Sequence, residues 1–467
     1  MTYSKTSADG KAVRPAYLIS DVMKLFDGLS VQEVPSNLRD KELTMEGGIE
    51  GIIRGLQKKH EGLESEWQEL YTWYKNHPEW SKKIDKIVEA AFYRREDSPL
   101  TQETAKALYG EILKGSVTRL EKFSACAYAH FLTYGLRLKE RDMYQFKAVD
   151  MGNLFHGAIE RFSKKLEQGG FTWSDVPEEV RETFVQDSVD ECIVDYGNSI
   201  LYSSARNEYT ILRLKRMLRR TVWALTKQLE RGDFVPTGYE VVFRGGKIDR
   251  IDVCEDEDKL YVKVIDYKTG EKAFDLGELS YGLQMQLVVY MNAALEMQQE
   301  QHPEKIVIPA GLFYYRMKDP IVDKPALGEG VEELIMRELR PDGVVQNSEE
   351  VLEHLDRGFT GTSQVMPVAR TQAGALSKTS KVLSEEEFRV ISDFAKKQIQ
   401  QAETEILAGN VELKPYNMGG RTGCDYCPYH AVCGFDEKLE GYMYRKLDKL
   451  DKEEALEKMR KEVETWE

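Results

Sequence analysis

The sequence predicts an α/β protein with a mixed β-sheet, preceded by a predominantly helical region. Three strand patterns follow one another at 238–245, 246–254 and 259–268. A helical pattern lies at 279–297, and a further apolar strand at 305–317. Strands, a helix and another strand in this order are typical of an α/β core whose sheet contains parallel and antiparallel neighbours.

Two domains are predicted, 1–115 and 116–467. The first is helical and acidic, and its clearest periodic segment is GIIRGLQKKHEGLESEWQELYTWYKNH. Helical patterns continue into the second domain, among them MGNLFHGAIERFSKKLEQ at 151–168. The phosphate-loop pattern GxxxxGK[ST] does not occur in the sequence, which excludes ATP hydrolysis by that route.

One helical segment, 206–231, carries a concentrated positive charge. It contains eight Lys and Arg residues against two Glu, and its apolar residues recur at helical spacing. Two interpretations stay open: a helix face exposed to solvent, and a surface that follows a phosphate backbone. The net charge of −15 argues against a chain that coats nucleic acid nonspecifically.

The remainder of the second domain is less regular. Residues 318–380 are rich in Gly, Pro, Ser and Thr, and we expect them to form surface excursions. A helix at 384–409 and a cysteine-bearing segment at 424–433 follow, and the charged tail predicts a solvated helix. The longest apolar run is the decapeptide at 306–315, which is too short to span a bilayer, so we expect no membrane segment.

The strand at 259–268 raises a question of charge. Side chains alternate between the two faces of a strand, so Asp266 and Lys268 share a face with Val262 and Val264. Burying charges is costly unless they are paired or bind a metal. An ordinary structural ion pair is one interpretation of this pattern, and a metal site is the other.

The neighbouring strand supplies a candidate partner for Asp266. The acidic stretch EDED at 255–258 predicts a hairpin turn whose register places Asp249 opposite Asp266. Asp252 is the rival, but it lies an odd number of residues from Asp249 and therefore points to the opposite face. Two carboxylates at low dielectric repel, and Mg²⁺ or Mn²⁺ relieves that repulsion by accepting oxygen ligands.

Three further side chains are candidates for this site. Gln286 and Tyr290 are four residues apart and so lie on one face of the predicted helix. His156 lies in the apolar helical segment NLFHGAIERF, where it is either a core residue or a metal ligand. A lysine beside two carboxylates could hold a water molecule or stabilise developing negative charge, which is the role we expect for Lys268.

The cysteines predict a second metal centre. Cys424, Cys427 and Cys433 follow one another closely, and three such thiols indicate a soft metal. The fourth ligand could come from Cys126, Cys192 or Cys254. Zinc is the simplest occupant, but zinc sites usually use two short pairs, so one remote cysteine with a compact trio better fits a [4Fe-4S] cluster that staples the fold.

Taken together, these motifs resemble a known family. GKIDRID, VIDYKTG and QLVVY, bracketed by FSACAYAHF and CDYCPYHAVCGF, are similar to the nuclease domains of the AddB family and, more broadly, to RecB-like PD-(D/E)xK nucleases. The resemblance covers nearly the whole chain. It implies a restriction-endonuclease-like mixed sheet flanked by helices, with an iron–sulfur staple, and makes residues 1–115 the helical end of the family's helicase-like region.

The resemblance also implies roles for individual residues. His156, Asp249, Asp266 and the main-chain carbonyl of Tyr267 would hold the metal, and Lys268 would be the catalytic lysine. The residues matching the family's Q-x3-Y motif near DNA are Gln286 and Tyr290, and those matching its iron–sulfur ligands are Cys126, Cys424, Cys427 and Cys433.

The function expected on this basis is Mg²⁺-dependent (or Mn²⁺-dependent) hydrolysis of DNA, mainly single-stranded, in break resection and recombinational repair. The implied partner is an AddA-type helicase-nuclease subunit, and the compartment is the cytoplasm, since the amino terminus lacks the apolar core of a signal peptide. The alternatives are a free-standing iron–sulfur exonuclease, like those of CRISPR adaptation, and a DNA-binding scaffold without catalysis.

Overall fold

The structure is a computed structural model that describes residues 2–7, 11–33, 44–57, 65–94, 98–113, 115–141, 146–323 and 330–465. The chain divides into two compact units, Met1–Arg94 and Arg95–Glu467. The domain boundary expected between residues 115 and 116 stays a prediction. No helix in these ranges is long and apolar enough to cross a membrane.

The first unit is helical, as the sequence predicts. Its small core is formed by the α2 residues Ile49, Ile52 and Leu56 together with Tyr74 and Ile84. The Tyr74 hydroxyl donates a hydrogen bond to the carbonyl of Met45 and so ties α3 to the start of α2. The helices of this unit are α1 (Tyr17–Leu25), α2 (Met45–Gln57), α3 (Ser65–Asn76) and α4 (Ser81–Ala91).

The second unit contains the mixed sheet and the helices that cover it. The helices are α5 (Gln102–Tyr109), α6 (Val117–Ala125), α7 (Ala127–His130), α8 (Ala148–Gly169), α9 (Glu178–Leu201), α10 (Ala205–Leu229), α11 (Leu276–Leu279), α12 (Gln286–Gln301), α13 (Val331–Glu338), α14 (Glu349–Leu355), α15 (Glu385–Leu407), α16 (His430–Cys433) and α17 (Lys452–Glu464). The strands are β1 (Val235–Phe243), β2 (Gly246–Glu255), β3 (Lys259–Lys268), β4 (Ile306–Arg316), β5 (Asp342–Gln346), β6 (Val382–Leu383), β7 (Tyr416–Met418), β8 (Arg421–Thr422) and β9 (Arg445–Leu447).

The central sheet has six strands in chain order, from β1 to β6. The β1–β2, β2–β3 and β4–β5 pairs are antiparallel, whereas β3–β4 and β5–β6 are parallel. The parallel β3–β4 pair needs a crossover, and α12 supplies it, as expected for parallel neighbours. The mixed sheet predicted from the sequence is therefore confirmed.

The register of β2 against β3 is also the predicted one. Arg250 pairs with Ile265, and the pairing runs without a shift to Glu255 and Leu260. Continuing it by one residue brings Asp249 beside Asp266. The expected hairpin geometry thus holds along the whole of the β2–β3 pair.

The two faces of the sheet are covered by different helices. Tyr261, Ile265 and Tyr267 pack into a core with α8, α9 and α10. Val262 and Val264 point the other way, into a core with α6, α12, α15 and α17. The alternation predicted for β3 is present, and the face that carries Asp266 is the one covered by α12.

One helix begins later than its sequence pattern indicates. The predicted helix at 279–297 is divided, because Gly282 adopts a φ of +71°, a left-handed conformation that ends the short α11. The long helix α12 then starts at Gln286. Gln286 consequently lies at a helix N-terminus, where main-chain N–H groups lack partners within the helix.

Residues 318–380 are not simply surface excursions. This region contributes β5, which lies between β4 and β6 in the sheet, and its Val344 and Val345 are buried. A strand of five residues gives too short an alternation to be recognised among the Gly and Pro residues around it. The C-terminal helix is likewise not only a solvated surface, since Ala455, Leu456 and Met459 of α17 are buried.

The basic segment at 206–231 forms α10, and its apolar residues are buried as the spacing predicts. Most of its cationic face is neutralised within the protein. Three ion pairs join it to acidic side chains of neighbouring segments: Lys215 with Asp190, Arg216 with Asp319, and Arg219 with Glu182. This pairing favours a helix face exposed to solvent over a surface for phosphates.

Candidate active site

Three carboxylates lie in a row across the first three strands of the sheet. Asp249 of β2 is beside Asp266 of β3 through the register described above. On its other side, β1 pairs Tyr239 with Arg250 and Val241 with Ile248, which places Glu240 opposite Asp249. All three side chains are buried, and Asp266 is only 1% exposed.

Glu240 holds its position at a conformational cost. Its φ is +50°, in the left-handed region that non-glycine residues rarely adopt. Such strain persists where the surrounding structure enforces it, and it concentrates at functional sites. The Glu240 carboxylate contacts Lys247 and lies 3.4 Å from His156 Nδ1.

The sequence analysis missed Glu240, although a signal for it exists. The β1–β2 turn pairs Phe243 with Gly246, and counting back along that register places Glu240 opposite Asp249. The hairpin argument that found Asp249 from Asp266 would thus have found Glu240 from Asp249.

His156 closes one end of the row. Its Nδ1 lies 3.4 Å from Glu240 Oε1 and 3.4 Å from Asp249 Oδ1. Burial disfavours its protonation, but hydrogen bonds and charge from Asp249 and Glu240 outweigh burial and raise the pKa of His156 to about 10. The two carboxylates therefore attract a positive charge to this position, and a proton on His156 supplies it here.

The electrostatics of Asp266 show the same excess of negative charge. Burial and the nearby Asp249 carboxylate raise the pKa of Asp266 to about 7, against the opposing effect of Lys268. Asp249 is fixed in place by the main-chain N–H of Tyr267, which donates to its Oδ2 over 2.7 Å. Two carboxylates held this way resist simultaneous ionisation unless a cation joins them.

Both oxygens of Asp266 have a contact to a neighbouring side chain. Lys268 Nζ lies 2.5 Å from Oδ2, and Gln286 Nε2 donates to Oδ1 over 2.9 Å. Gln286 Nε2 is also 2.9 Å from the hydroxyl of Tyr290, one turn further along α12. The structure therefore brings the predicted polar side chains together at one end of β3.

The donor set fits a hard divalent cation. Ligand atoms of His156, Glu240 and Asp249 all lie within 4.8 Å of one another, and Asp266 adjoins them on the next strand. Carboxylate oxygens with a single imidazole suit Mg²⁺ or Mn²⁺. The participation of the Tyr267 carbonyl stays a prediction.

Asp252 lies on the opposite face, as strand alternation requires. It accepts hydrogen bonds from Arg250 Nε at 2.5 Å and Nη2 at 3.0 Å, and Lys263 Nζ is 2.9 Å away. All three side chains are buried. Asp252 is therefore part of a buried ion-pair network and takes no part in the carboxylate row.

The cysteines meet at a separate place in the second unit. Cys126, Cys424, Cys427 and Cys433 line a single pocket together with apolar side chains such as Leu413. The other two candidates for the fourth ligand pack elsewhere: Cys192 and Cys254 belong to the core beneath α8 to α10, and Cys192 Sγ accepts a hydrogen bond from Arg161. Geometry thus selects Cys126 as the partner of the trio.

The spacing of these sulfurs bears on the metal they could hold. Tetrahedral zinc with Zn–S bonds of about 2.3 Å places its sulfurs about 3.8 Å apart. Among the described residues, no three cysteine sulfurs lie within 4.8 Å of one another. The pocket is therefore wider than one zinc ion requires, and the four cysteines fit a larger iron–sulfur cluster better.

The sequence matches two family models. The model described as the PD-(D/E)XK nuclease superfamily matches residues 114–434. The model described as the fifth domain of the ATP-dependent helicase/deoxyribonuclease AddB matches residues 53–90.

Curated relatives agree with these matches. The chain is 41% identical to the AddB-type ATP-dependent helicase/deoxyribonuclease protein of Lachnoclostridium phytofermentans, over 99% of this chain and 42% of the relative. The proteins of the same name from Alkaliphilus oremlandii and Alkaliphilus metalliredigens are 35% and 34% identical, over 99% of this chain and 43% of each relative. The chain thus spans about two fifths of the length of these curated relatives.

Proposed function

Since the chain belongs to the PD-(D/E)XK nuclease superfamily, we propose that it is a metal-dependent deoxyribonuclease that hydrolyses phosphodiester bonds, mainly in single-stranded DNA. The observation that carries this proposal is the row of Glu240, Asp249 and Asp266 with Lys268 at its end. The row combines excess negative charge for a metal with one cation for the reacting groups.

Five groups are proposed to hold Mg²⁺ or Mn²⁺: His156, Glu240, Asp249, Asp266 and the Tyr267 carbonyl. The divalent cation would supply Lewis acidity, acidifying a water molecule and neutralising charge on the scissile phosphate. His156 must be neutral to bind a metal, so its proton would be released when the cation enters. The Tyr267 N–H keeps Asp249 oriented for this role.

Lys268 is proposed as the catalytic lysine. Its ammonium, held 2.5 Å from Asp266, can orient the attacking water and stabilise negative charge on the phosphate. Gln286 fixes the orientation of Asp266 by the hydrogen bond to Oδ1. Tyr290, hydrogen-bonded to Gln286, is proposed to contact the DNA beside the reacting phosphate.

A [4Fe-4S] cluster is proposed at Cys126, Cys424, Cys427 and Cys433. Its role is that of a staple, because Cys126 and Cys424 are 298 residues apart in the chain. Burial raises the pKa of the Cys126 thiol to about 11, so a thiolate at this position requires a positively charged partner. Iron in a cluster meets that requirement.

The proposed context is an AddAB-type helicase-nuclease that acts in the cytoplasm, in break resection and recombinational repair. The match of residues 53–90 to an AddB domain favours a protein that works with an AddA-type partner over a free-standing exonuclease. The complete set of carboxylates with Lys268 argues against a scaffold that binds DNA without cleaving it.

Cleavage of end-labelled single-stranded DNA with Mg²⁺ tests this proposal, using the chain with and without an AddA-type partner. Lys268→Ala should lower the rate of cleavage by about 10²–10³-fold, because it removes the cation that stabilises developing charge. The matched control is Lys259→Ala at the other end of β3, where the lysine pairs with Glu350. Full cleavage by the Lys268 variant would refute the assignment.

A further inference from the structure

We infer that Glu121 of α6 is a positioning residue that holds the N-terminus of α12, and with it Gln286, against the Asp266 carboxylate. This inference rests on the proposed nuclease function and adds a residue to it.

The contact that motivates it is a carboxylate cap supplied by another helix. Glu121 Oε1 accepts the main-chain N–H of Gln286 over 2.9 Å. Met285, the residue before α12, makes no side-chain capping hydrogen bond, so the helix does not cap itself with that side chain. A carboxylate at a helix N-terminus also interacts favourably with the helix dipole.

Glu121 is two hydrogen bonds from the carboxylate row. It bonds the main chain of Gln286, and the side chain of Gln286 bonds Asp266 Oδ1. The charges of Lys272 and Lys268 act favourably on the largely buried Glu121 carboxylate, whose pKa burial raises. Movement of the N-terminus of α12 would therefore alter the orientation of Asp266.

The helix that carries Glu121 is attached at both ends to other parts of the proposed site. At its start, the Val117 N–H donates to the carbonyl of Gly245 in the β1–β2 turn, 3.1 Å away. At its end, Cys126 directly follows Ala125 and lines the cysteine pocket. Thus α6 connects the hairpin of Glu240 and Asp249, the Gln286 amide and the cysteine pocket within ten residues.

Glu121→Ala should lower the kcat for single-stranded DNA at least about tenfold, since small misplacements of reacting groups have effects of this size. It should raise the Mg²⁺ concentration for half-maximal cleavage and leave the KM for DNA within about twofold. Glu121→Gln keeps a neutral acceptor for the Gln286 N–H, so most of the activity should return.

The matched control is Glu387→Ala. Glu387 is also a partly buried capping glutamate: it accepts the N–H of Ser384 over 2.7 Å at the start of α15 and pairs with Lys452 at 3.1 Å. Its loss should reduce thermal stability without changing the Mg²⁺ dependence. A Glu121→Ala protein that differs from wild type no more than this control does would overturn the inference.

A second measurement separates this inference from the proposed function. Hydrogen exchange of residues 285–290 should be faster in Glu121→Ala than in wild type, while the iron content stays the same. Unchanged exchange overturns the role of Glu121, whether or not the protein cleaves DNA. A wild-type protein that does not cleave DNA with Mg²⁺ instead contradicts the proposed function.

Discussion

The two faces of the β2–β3 hairpin carry the same kinds of charged residue but differ in their balance of charge. On one face, Asp252 lies between Arg250 and Lys263, so one carboxylate meets two cations. On the other, Asp249 and Asp266 are joined by Glu240 from β1, and only Lys268 and His156 offer positive charge. Both groups are buried in the same sheet.

The difference has opposite effects on the two aspartates. Burial disfavours the charge on Asp252, but Arg250 and Lys263 outweigh it and hold the pKa of Asp252 below its usual value. Burial and Asp249 raise the pKa of Asp266 to about 7. A buried carboxylate that is fully paired serves the fold, whereas an excess of carboxylates creates a demand for a further cation.

The largest expected effect is on the paired face. Asp252→Asn should reduce the free energy of unfolding by about 3–5 kcal/mol, because it leaves Arg250 and Lys263 buried without a counter-charge. Denaturant unfolding measures this loss. The remaining folded protein should cleave DNA normally, and a variant as stable as wild type would show that the network is not needed.

Asp266→Asn should have the opposite effect on stability. Without divalent cation, removing a repelling carboxylate should raise the melting temperature by about 2 °C, which corresponds to roughly 1 kcal/mol or less for a domain of this size. Cleavage with Mg²⁺ should fall by more than about 10²-fold. Thermal melts with and without Mg²⁺ test the comparison, and a destabilised metal-free variant would contradict it.

Glu240→Gln should weaken metal binding by about 10–100-fold, since it removes one charge from the row and leaves the side-chain size unchanged. The Mg²⁺ dependence of cleavage and a calorimetric titration both measure this change. Glu255→Gln is the control, because Glu255 lies on the same sheet and pairs only with the surface residue Lys305. Equal Mg²⁺ dependence in the two variants would remove Glu240 from the site.

The smallest effect is expected on α10. Arg219 forms an exposed ion pair with Glu182, and such pairs contribute about 0–1 kcal/mol. Arg219→Ala should therefore change neither the stability by more than this amount nor the affinity for single-stranded DNA measured without divalent cation. Markedly weaker DNA binding would restore the phosphate-surface interpretation of this helix.

Local patterns predicted much of this fold because their physical causes are local. The alternation of β3 and the turn at 255–258 set which face Asp266 occupies and which residue lies beside it. The same argument excluded Asp252. Elements without a strong local pattern were missed, as with β5, whose two buried valines take their place only because β4 and β6 flank them.

By itself, the sequence determined the hairpin register, the face of each charged residue and the grouping of three cysteines, because strand period and short spacing act within a few residues. Tertiary structure decided the rest. It joined His156 of α8 to the row, selected Cys126 over Cys192 and Cys254, and set Glu121 against Gln286. Each of these contacts joins segments far apart in the chain, and only the packing of helices against the sheet fixes their distance.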